Sequence, residues 1–473
     1  MTKPSRAYLS ITICLTVIFT LNAFFINAQR VNSLYFLENT PLNARLNPSM
    51  TPLYSGFGIG MSNFTLYLQS DIAFKDLFFS GENNEQNRFM NQETDRNTFI
   101  NNLKDISSLD LSTNMDLFNL GIRIKKKNYI SIHSGIYMDA GLGLPKGFFE
   151  LFMRDVEDET SLSSLNLTGL NLEAIVYSKT GIGFSTQFGK NISVGIGVNR
   201  LNGFINAIMD FDRFNINIEE TGWNITTDGY FQIAGPEDLK FRYSDEGYFN
   251  GIESSYNTNS SGEFATTFNS FSKVGSGYSL DFGLTVKALN FISLSASLTD
   301  FGSIMWHGDY IQKARTSGSF TYNGNIMNGN DNNAEEGMGI DKQILELTRF
   351  RKVDGVDSYK TSLTTKLNIG AELGILKNKI TLGVLSQSGF TKDGKYNDLM
   401  VSANLKPGNN FQTAITYSRL HGEANSFGAA LNTKMLFFNI FIAADFIPSK
   451  NTTYTQSNKD SFYKLQTGFN FMF

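Results

Sequence analysis

Apolar and polar residues alternate with period two along most of the chain from residue 56 to the last residue, Phe473. Leu280, Phe282, Leu284, Val286 and Ala288 alternate with Asp281, Gly283, Thr285 and Lys287, and directly afterwards Ile292, Leu294, Ala296 and Leu298 alternate with Ser293, Ser295, Ser297 and Thr299. The same rhythm returns at 367–375 and at 438–446. Successive side chains of a strand point to opposite faces, so each row predicts a strand with one apolar face. Soluble antiparallel sandwiches alternate too, and the connections separate the two cases. Six are very short: 125–128, 189–191, 289–290, 377–379, 406–410 and 433–435. Between them fall seven others, several long and polar, near 70–111, 140–165, 204–276, 304–363, 390–396, 420–424 and 447–460. Strict alternation of short and longer connections is the up-and-down rule of a membrane barrel with periplasmic turns and outer loops. Six turns and seven loops join 14 strands, and the even count leaves both chain ends on the periplasmic side. The expected fold is all-β, a closed antiparallel transmembrane β-barrel with short helices in its long outer loops. Within 204–276, Asn215–Ile218 and Trp223–Thr226 read as a hairpin rising above the membrane.

Composition narrows the setting. Aromatic residues make up 13% of the chain while charged residues fall to 18%, below the ~25% usual for soluble domains. A net charge of −4 with scattered basic residues argues against a nucleic-acid partner. Past the N-terminus no apolar run approaches the ~18 residues of a membrane helix, and the longest, Leu436–Phe446, contains Asn439 and Asp445. Strands must therefore do the crossing. Lys3 and Arg6 precede an apolar run from Ala7 to Phe25, and Ile26-Asn27-Ala28 ends in a small residue. This is the layout of a secretory signal peptide, residues 1–28, cleaved after Ala28. The single cysteine, Cys14, lies inside it, so the mature chain is expected to have no disulfide, thiolate chemistry or cysteine-bound metal. An exported, cysteine-free, aromatic-rich barrel belongs in the bacterial outer membrane, with outer-membrane lipid against its outer face. Tyr463, Leu465, Thr467, Phe469, Phe471 and Phe473 share one face of the final strand. That ending resembles the signal read by the barrel-assembly machinery, with Phe469, Phe471 and Phe473 as its aromatic part.

Glycines fall opposite the bulky rows, at Gly58 and Gly60, at Gly181 and Gly183, at Gly195 and Gly197, and at Gly283 and Gly370. If the apolar rows face lipid, these glycines line the interior, where curvature or the close approach of another segment calls for them. The natural occupant is residues 29–55, too apolar for a loose tail and broken by Pro41, Pro48 and Pro52. This segment is expected to plug the bore, with Leu34, Phe36 and Leu37 packed and Asn47-Pro48 turning the chain into the first strand. The chain then divides into a signal peptide (1–28), a plug (29–55) and a barrel (56–473).

The opening Val31-Asn32-Ser33-Leu34-Tyr35-Phe36, with Pro41 and Leu46-Asn47-Pro48 after it, resembles an outer-membrane barrel family of Bacteroidota known as a domain of unknown function. Asn47-Pro48-Ser49 is also similar to the Asn-Pro-Ala near the N-terminal hatch of FadL-like long-chain fatty-acid transporters, with Ser49 in place of the alanine. The resemblance implies a plugged, 14-stranded, porin-like barrel that transports hydrophobic molecules through a gap in its wall. Related barrels also serve as non-transporting parts of secretion or assembly machines.

Chemistry is sparse. His133, His307 and His421 show no ligand spacing. Ser131 and His133 sit two apart on one strand face but lack the third group that orients a catalytic base. Glu335-Glu336 opens an expected loop helix reaching Phe350, and Gly329–Asn333 reads as a polar loop without a full calcium ligand set. No catalytic residue, metal or cofactor is assigned. Phe99–Ile106 has helical spacing, and Phe148, Phe149 and Phe152 form an apolar loop segment expected to line a hydrophobic vestibule or pack on its own loops. Ser178 and Thr180 interrupt an outward apolar row, with Lys179 between them and Gly181 after. A lysine facing mid-membrane lipid costs roughly 2–4 kcal/mol, so Lys179 should face inward and the strand should either break into a lateral gap or lie at the interface. The leading expectation is a channel for a hydrophobic or small amphipathic ligand. The alternative is a scaffold barrel bound to an envelope protein partner, and an outer-membrane hydrolase ranks third.

Overall fold

The computed structural model describes residues 32–473 except 39, 41, 53–55, 73–95, 126, 154–163, 220–221, 255–271, 323–346, 392–393, 409, 421–423 and 448–460. The expected signal peptide, His421, Glu335-Glu336 and Gly329–Asn333 therefore lie outside the described residues. The wall consists of β1 (Phe57–Ser70), β2 (Ile106–Ile124), β3 (Asn128–Pro145), β4 (Asn171–Phe188), β5 (Ile192–Glu219), β6 (Gly275–Leu289) and β7 (Ile292–Trp306). It continues with β8 (Thr365–Ile375), β9 (Ile380–Phe390), β10 (Lys395–Gly408), β11 (Phe411–Leu420), β12 (Ala424–Met435), β13 (Phe438–Phe446) and β14 (Ser461–Met472). Each strand pairs antiparallel with the next, from β1–β2 through β13–β14. The ring closes where β14 pairs with β1 from Met472–Gly58 to Ser461–Ser70. Fourteen strands and both barrel ends on the tight-turn side are what the alternation predicts. Closure removes the free edge that an apolar last strand would otherwise expose.

The two faces are inverted relative to a soluble sheet. Ile182, Phe184, Ile196, Val198, Phe282 and Leu284 are exposed, whereas Asn199, Ser297, Asn368, Asn432 and Asn470 are buried. An apolar outside and a polar inside suit a wall with lipid around it. On β14, Tyr463 and Leu465 are exposed while Phe462, Gln466 and Asn470 are buried, and Phe473 just past its end is exposed too.

On the outer side the wall grows a second storey. β5 is 28 residues long, and its outer half, Asn206–Glu219, leaves β6 and pairs with Gly222–Ala234. That strand pairs with Ile311–Tyr322, which carries the short strand Arg351–Val353 on its far side. The hairpin expected at 215–226 is the tip of this sheet, with Ile216 opposite Ile225. Its core holds Phe211, Phe214, Ile216, Ile225, Phe231 and Phe350. The described helices include α1 (Asn43–Leu46), α2 (Arg96–Asn102) and α3 (Lys146–Met153), with a single 3-10 turn at Gly308–Tyr310. Ile106 belongs to β2 rather than to a loop helix. Of the helix expected to reach Phe350, only its last turn from Leu347 is described.

Candidate functional site: the bore and its inner segment

The described residues between 32 and 50 touch inward-facing groups around much of the ring. Asn32 folds the first turn: its side-chain oxygen accepts the Leu34 N–H (3.0 Å) and its carbonyl accepts the Tyr35 N–H (3.0 Å). Ser33 Oγ lies 2.6 Å from Thr416 Oγ1 on β11 and donates to Asp445 on β13. Tyr35 Oη lies 3.1 Å from Ser295 Oγ on β7, and burial pushes its phenol above the ordinary 10.0. The Glu38 carbonyl accepts from Asn432 on β12 (2.8 Å), and the Leu46 carbonyl accepts from Ser297 on β7 (2.7 Å) and Asn368 on β8 (3.3 Å). Apolar contacts fill between these polar ones. Leu34, Leu37 and Leu42 pack on Ala414, Ala430, Phe441 and Ala443, where the small wall residues make room. Tyr35 and Phe36 pack with Tyr67, Leu385, Met400 and Phe462.

The inward glycines are where the segment meets the wall. A Cβ at Gly370 would stand 3.0 Å from the Tyr35 ring, and one at Gly383 would stand 2.6 Å from Phe36 Cε2. Pro48 and Ser49 lie over Gly195 and Gly283, so close that a Cβ at either would meet backbone. Asn47 fixes this turn, since its Oδ1 accepts both the Ser49 N–H (3.0 Å) and the Ser49 hydroxyl (2.7 Å). Its Nδ2 points to the carbonyls of Leu284 (3.5 Å) and Ala296 (3.4 Å). An Asx turn of this kind explains an Asn-Pro pair at this place.

Charge is concentrated at mid-bore. Arg45 of α1 pairs with Asp116 on β2, and the two side chains are 10% and 0% exposed. Asp116 also accepts from Asn63 Nδ2 (2.8 Å), and Arg45 Nη1 donates to Tyr137 Oη (3.3 Å). Nearby, Asp300 takes Lys179 (2.6 Å) and Lys366 (3.1 Å). Asp300 adopts φ 59°, uncommon for a non-glycine residue, at a bulge where Leu280–Phe301 gives way to Phe282–Leu298. Asp281 is the bulge residue opposite, and its Oδ1 accepts the Asp300 N–H (2.7 Å). The irregularity turns both carboxylates inward. Towards the tight-turn end Lys406 bridges Glu372 (2.7 Å) and Glu38 (3.4 Å). None of these charge clusters stands out in the sequence, because their members are scattered over six strands and are joined only by the closed ring.

Of the two readings of Ser178–Gly181, a lateral gap or a place at the interface, the gap is absent. Lys179 faces inward as expected, but β4 pairs without a break on both sides of this stretch, Ser178 with Ile136 and Asn202, Thr180 with Ser134 and Arg200. The outward polar groups satisfy one another: Asn202 Nδ2 donates to Ser178 Oγ (3.2 Å), and Thr180 Oγ1 lies 2.8 Å from Ser134 Oγ. Arg200 and the exposed Tyr278 continue the same outward row, the pattern of an interface belt. The nearest bulge falls one step outward and belongs to β5, where Phe204 is left over between Val176–Ile205 and Tyr177–Gly203.

An interruption does exist elsewhere. Among the described residues the β1–β2 ladder has no pairs between Gly60–Asn119 and Phe64–Met115, halfway along β1, and its register is the same on both sides. On one flank β1 bulges against β14 between Met61 and Phe64, and on the other β2 bulges against β3 between Asp116 and Phe118. Met115, Leu117 and Phe118 are exposed outside, while the Arg45–Asp116 pair stands directly inside. Beyond it lies an aromatic layer in which Tyr137 stacks on Tyr177 at 5.3 Å, next to buried Ile175, Leu201 and Trp306.

The remaining candidates are placed as follows. Phe149 is fully buried and Phe148 packs beside it, both against Phe99 and Ile72, so this part of α3 seals onto α2 and lines no open vestibule. The side chain of Phe152 lies outside the described residues. Ser131 and His133 border an inner crevice beneath Arg45. Beside His133 over Gly181 stands Asn199, not a carboxylate. His307 lies 3.3 Å from Ser276. Among the described residues no cluster of three or more His, Cys, Asp or Glu is placed to hold a metal ion.

A closed 14-strand ring with an apolar exterior and its own N-terminal residues folded inside defines a transmembrane β-barrel of outer-membrane type. Residues 48–445 match the family of unknown function DUF5723, and the chain belongs to that family. The fold is similar to that of the toluene transporter TbuX of Ralstonia pickettii (7% identity, TM-score 0.46, 94% of this chain and 99% of that one). It is similar also to a FadL homologue of Pseudomonas aeruginosa (8%, TM-score 0.45, 95% and 100%) and to the toluene transporter TodX of Pseudomonas putida (8%, TM-score 0.41, 95% and 95%). These likenesses concern the barrel fold. No curated protein sequence matches the chain.

Proposed function

We propose that this protein is a plugged outer-membrane channel for hydrophobic or small amphipathic molecules, with residues 32–50 as the plug. The observation that carries the reading is the interrupted β1–β2 ladder, with lipid-facing Met115, Leu117 and Phe118 outside it and the plug's Arg45 held inside it. In this reading a molecule beside the Tyr137–Tyr177 pair leaves the bore through this place, and the Arg45–Asp116 pair, which also reaches Tyr137, is the latch it must pass. Assembly into the membrane would use Phe469, Phe471 and Phe473 as the signal read by the barrel-assembly machinery. The test is uptake of a fluorescent fatty acid by cells carrying the wild type or a variant lacking Leu117, the extra residue of the β2 bulge. Loss of uptake in a variant that still reaches the membrane supports the route, and unchanged uptake rejects it.

A second reading, a scaffold barrel, draws on one feature. The β12–β13 turn exposes Met435 by 69% and Leu436 by 85% on the periplasmic side, where the other turns are mostly polar. Reproducible co-purification of an envelope protein that is lost on Met435→Ser/Leu436→Ser would favour it.

A further inference from the structure

The tight-turn rim has the opposite charge balance to the rest of the chain. Within five residues of the six tight turns, from 125–128 to 433–435, stand ten basic residues and one acid, Glu372, in a chain of 40 basic and 44 acidic residues. Glu372 is held by Lys406, which also takes Glu38 of the plug. The fold thus gathers uncompensated positive charge at one end of a barrel that is anionic as a whole. Lys125, Lys127, Lys190, Lys377 and Lys379 are exposed there. Among the described residues none of the five takes part in an ion pair. Turn geometry does not account for them: Lys125 and Lys377 adopt φ 50° and 59°, where asparagine or glycine is the easier choice.

The neighbouring residues set the height of these charges. Ile122 and Ile124 end the lipid-facing row of β2, Phe184 and Phe188 that of β4, and Leu373 and Ile375 that of β8, all of them exposed. Lys125, Lys190 and Lys377 follow one or two residues later, about 4–7 Å along the chain. A lysine stem lies readily along apolar surface with its ammonium at the polar boundary. These ammonium groups therefore reach the layer just beyond the hydrocarbon, where lipid headgroups lie. Exposed Phe291, Phe411 and Phe473 complete an apolar girdle at the same end. A soluble acidic partner would call for the cations but not for the girdle beside them.

We propose that the tight-turn rim binds anionic phospholipids of the periplasmic leaflet, with the lysine ammonium groups on their headgroups and the girdle against their acyl chains. Clustered lysines beside a membrane surface act together in holding anionic lipid. The inference rests on the wall and its turns and is independent of the plug and of the lateral route. For the test, the full barrel in detergent is incubated with equal amounts of phosphatidylglycerol and phosphatidylcholine of the same acyl chains. The lipids it retains are counted by native mass spectrometry. Wild type is expected to retain phosphatidylglycerol over phosphatidylcholine by about threefold or more, and Lys125→Gln/Lys190→Gln/Lys377→Gln to retain the two equally. Lys240→Gln/Lys273→Gln/Lys352→Gln removes as many exposed cations from the loop side and is expected to keep the wild-type ratio. Heat-dependent gel migration checks that each variant is folded. Equal retention of the two lipids by wild type overturns the proposal. A ratio unchanged in the rim variant, or lowered as much in the loop variant, overturns the assignment to the rim. Displacement of phosphatidylglycerol by added soluble polyglutamate overturns the choice of lipid in favour of an acidic polypeptide.

Discussion

Replacing Gly195 by alanine tests the seat of the plug without touching any charge. A methyl group there would run into the Pro48 carbonyl and stand 2.6 Å from the Ser49 nitrogen. Both are backbone atoms of a turn already fixed by Asn47, so no side chain can swing aside. Gly283→Ala attacks the same turn from the neighbouring strand, 2.7 Å from the Ser49 nitrogen and 2.9 Å from the Pro48 nitrogen. Overpacking of this kind costs typically about 1–3 kcal/mol, which multiplies the undocked fraction of the plug by about 5–150-fold. The double variant should cost less than the sum, because both methyl groups displace one turn. Gly408→Ala is the control, since nothing lies within 4 Å of its added Cβ. Single-channel recording in planar bilayers should show more frequent or longer open events for Gly195→Ala and Gly283→Ala, and none for Gly408→Ala. Wild-type recordings from correctly folded Gly195→Ala and Gly283→Ala barrels would refute the steric reasoning.

Three further outcomes are expected. Asp116→Asn leaves Arg45 buried without its counter-charge, a loss of about 3–5 kcal/mol for a broken buried pair, and limited proteolysis should then cut within 32–50 faster than in wild type. Because the wall is fully paired at Ser178–Gly181, Ser178→Val/Thr180→Val should leave fluorescent fatty-acid uptake unchanged, and a clear fall would restore that strand as an exit. Burial raises the Tyr35 phenol above 10.0, so its contribution to docking is complete below pH 10.0 and is lost as the pH climbs from there towards the higher bound value. Protease sensitivity of the plug should accordingly stay flat to pH 10 and rise beyond it, and Tyr35→Phe should abolish that rise.

The strand count was legible because each barrel strand must alternate and each tight turn must be short, two local signals that need no partner to be seen. The inner glycines were legible for the same reason: they fall on the face opposite the bulky rows, and Gly195, Gly283 and Gly370 do lie close to residues 35–49, whereas Gly383, beside Phe36, was not singled out. The wall interruption was not legible. A bulge at Asp116–Phe118 changes the face of a strand without leaving a proline or glycine in that stretch, and it becomes visible only as missing pairs with β1. Ser178 and Thr180 left a gap and an interface belt both open for the converse reason, since the polar partners that favour the belt, Asn202 and Ser134, stand on neighbouring strands. The ion clusters around Arg45, Asp300 and Lys406 likewise join residues up to 368 positions apart, beyond the reach of any spacing rule.

The most direct test of the central claim is a reversible staple between plug and wall. Ser33 Oγ and Thr416 Oγ1 lie 2.6 Å apart, so cysteines at these positions can approach the ~2.05 Å of a disulfide. The chain's single cysteine, Cys14, lies in the expected signal peptide, which leaves the mature background clean. Uptake of a fluorescent fatty acid is measured for Ser33→Cys/Thr416→Cys before oxidation, after oxidation and after reduction. The account predicts uptake that stops on oxidation and returns on reduction. Uptake that continues unchanged through a fully formed disulfide would contradict it.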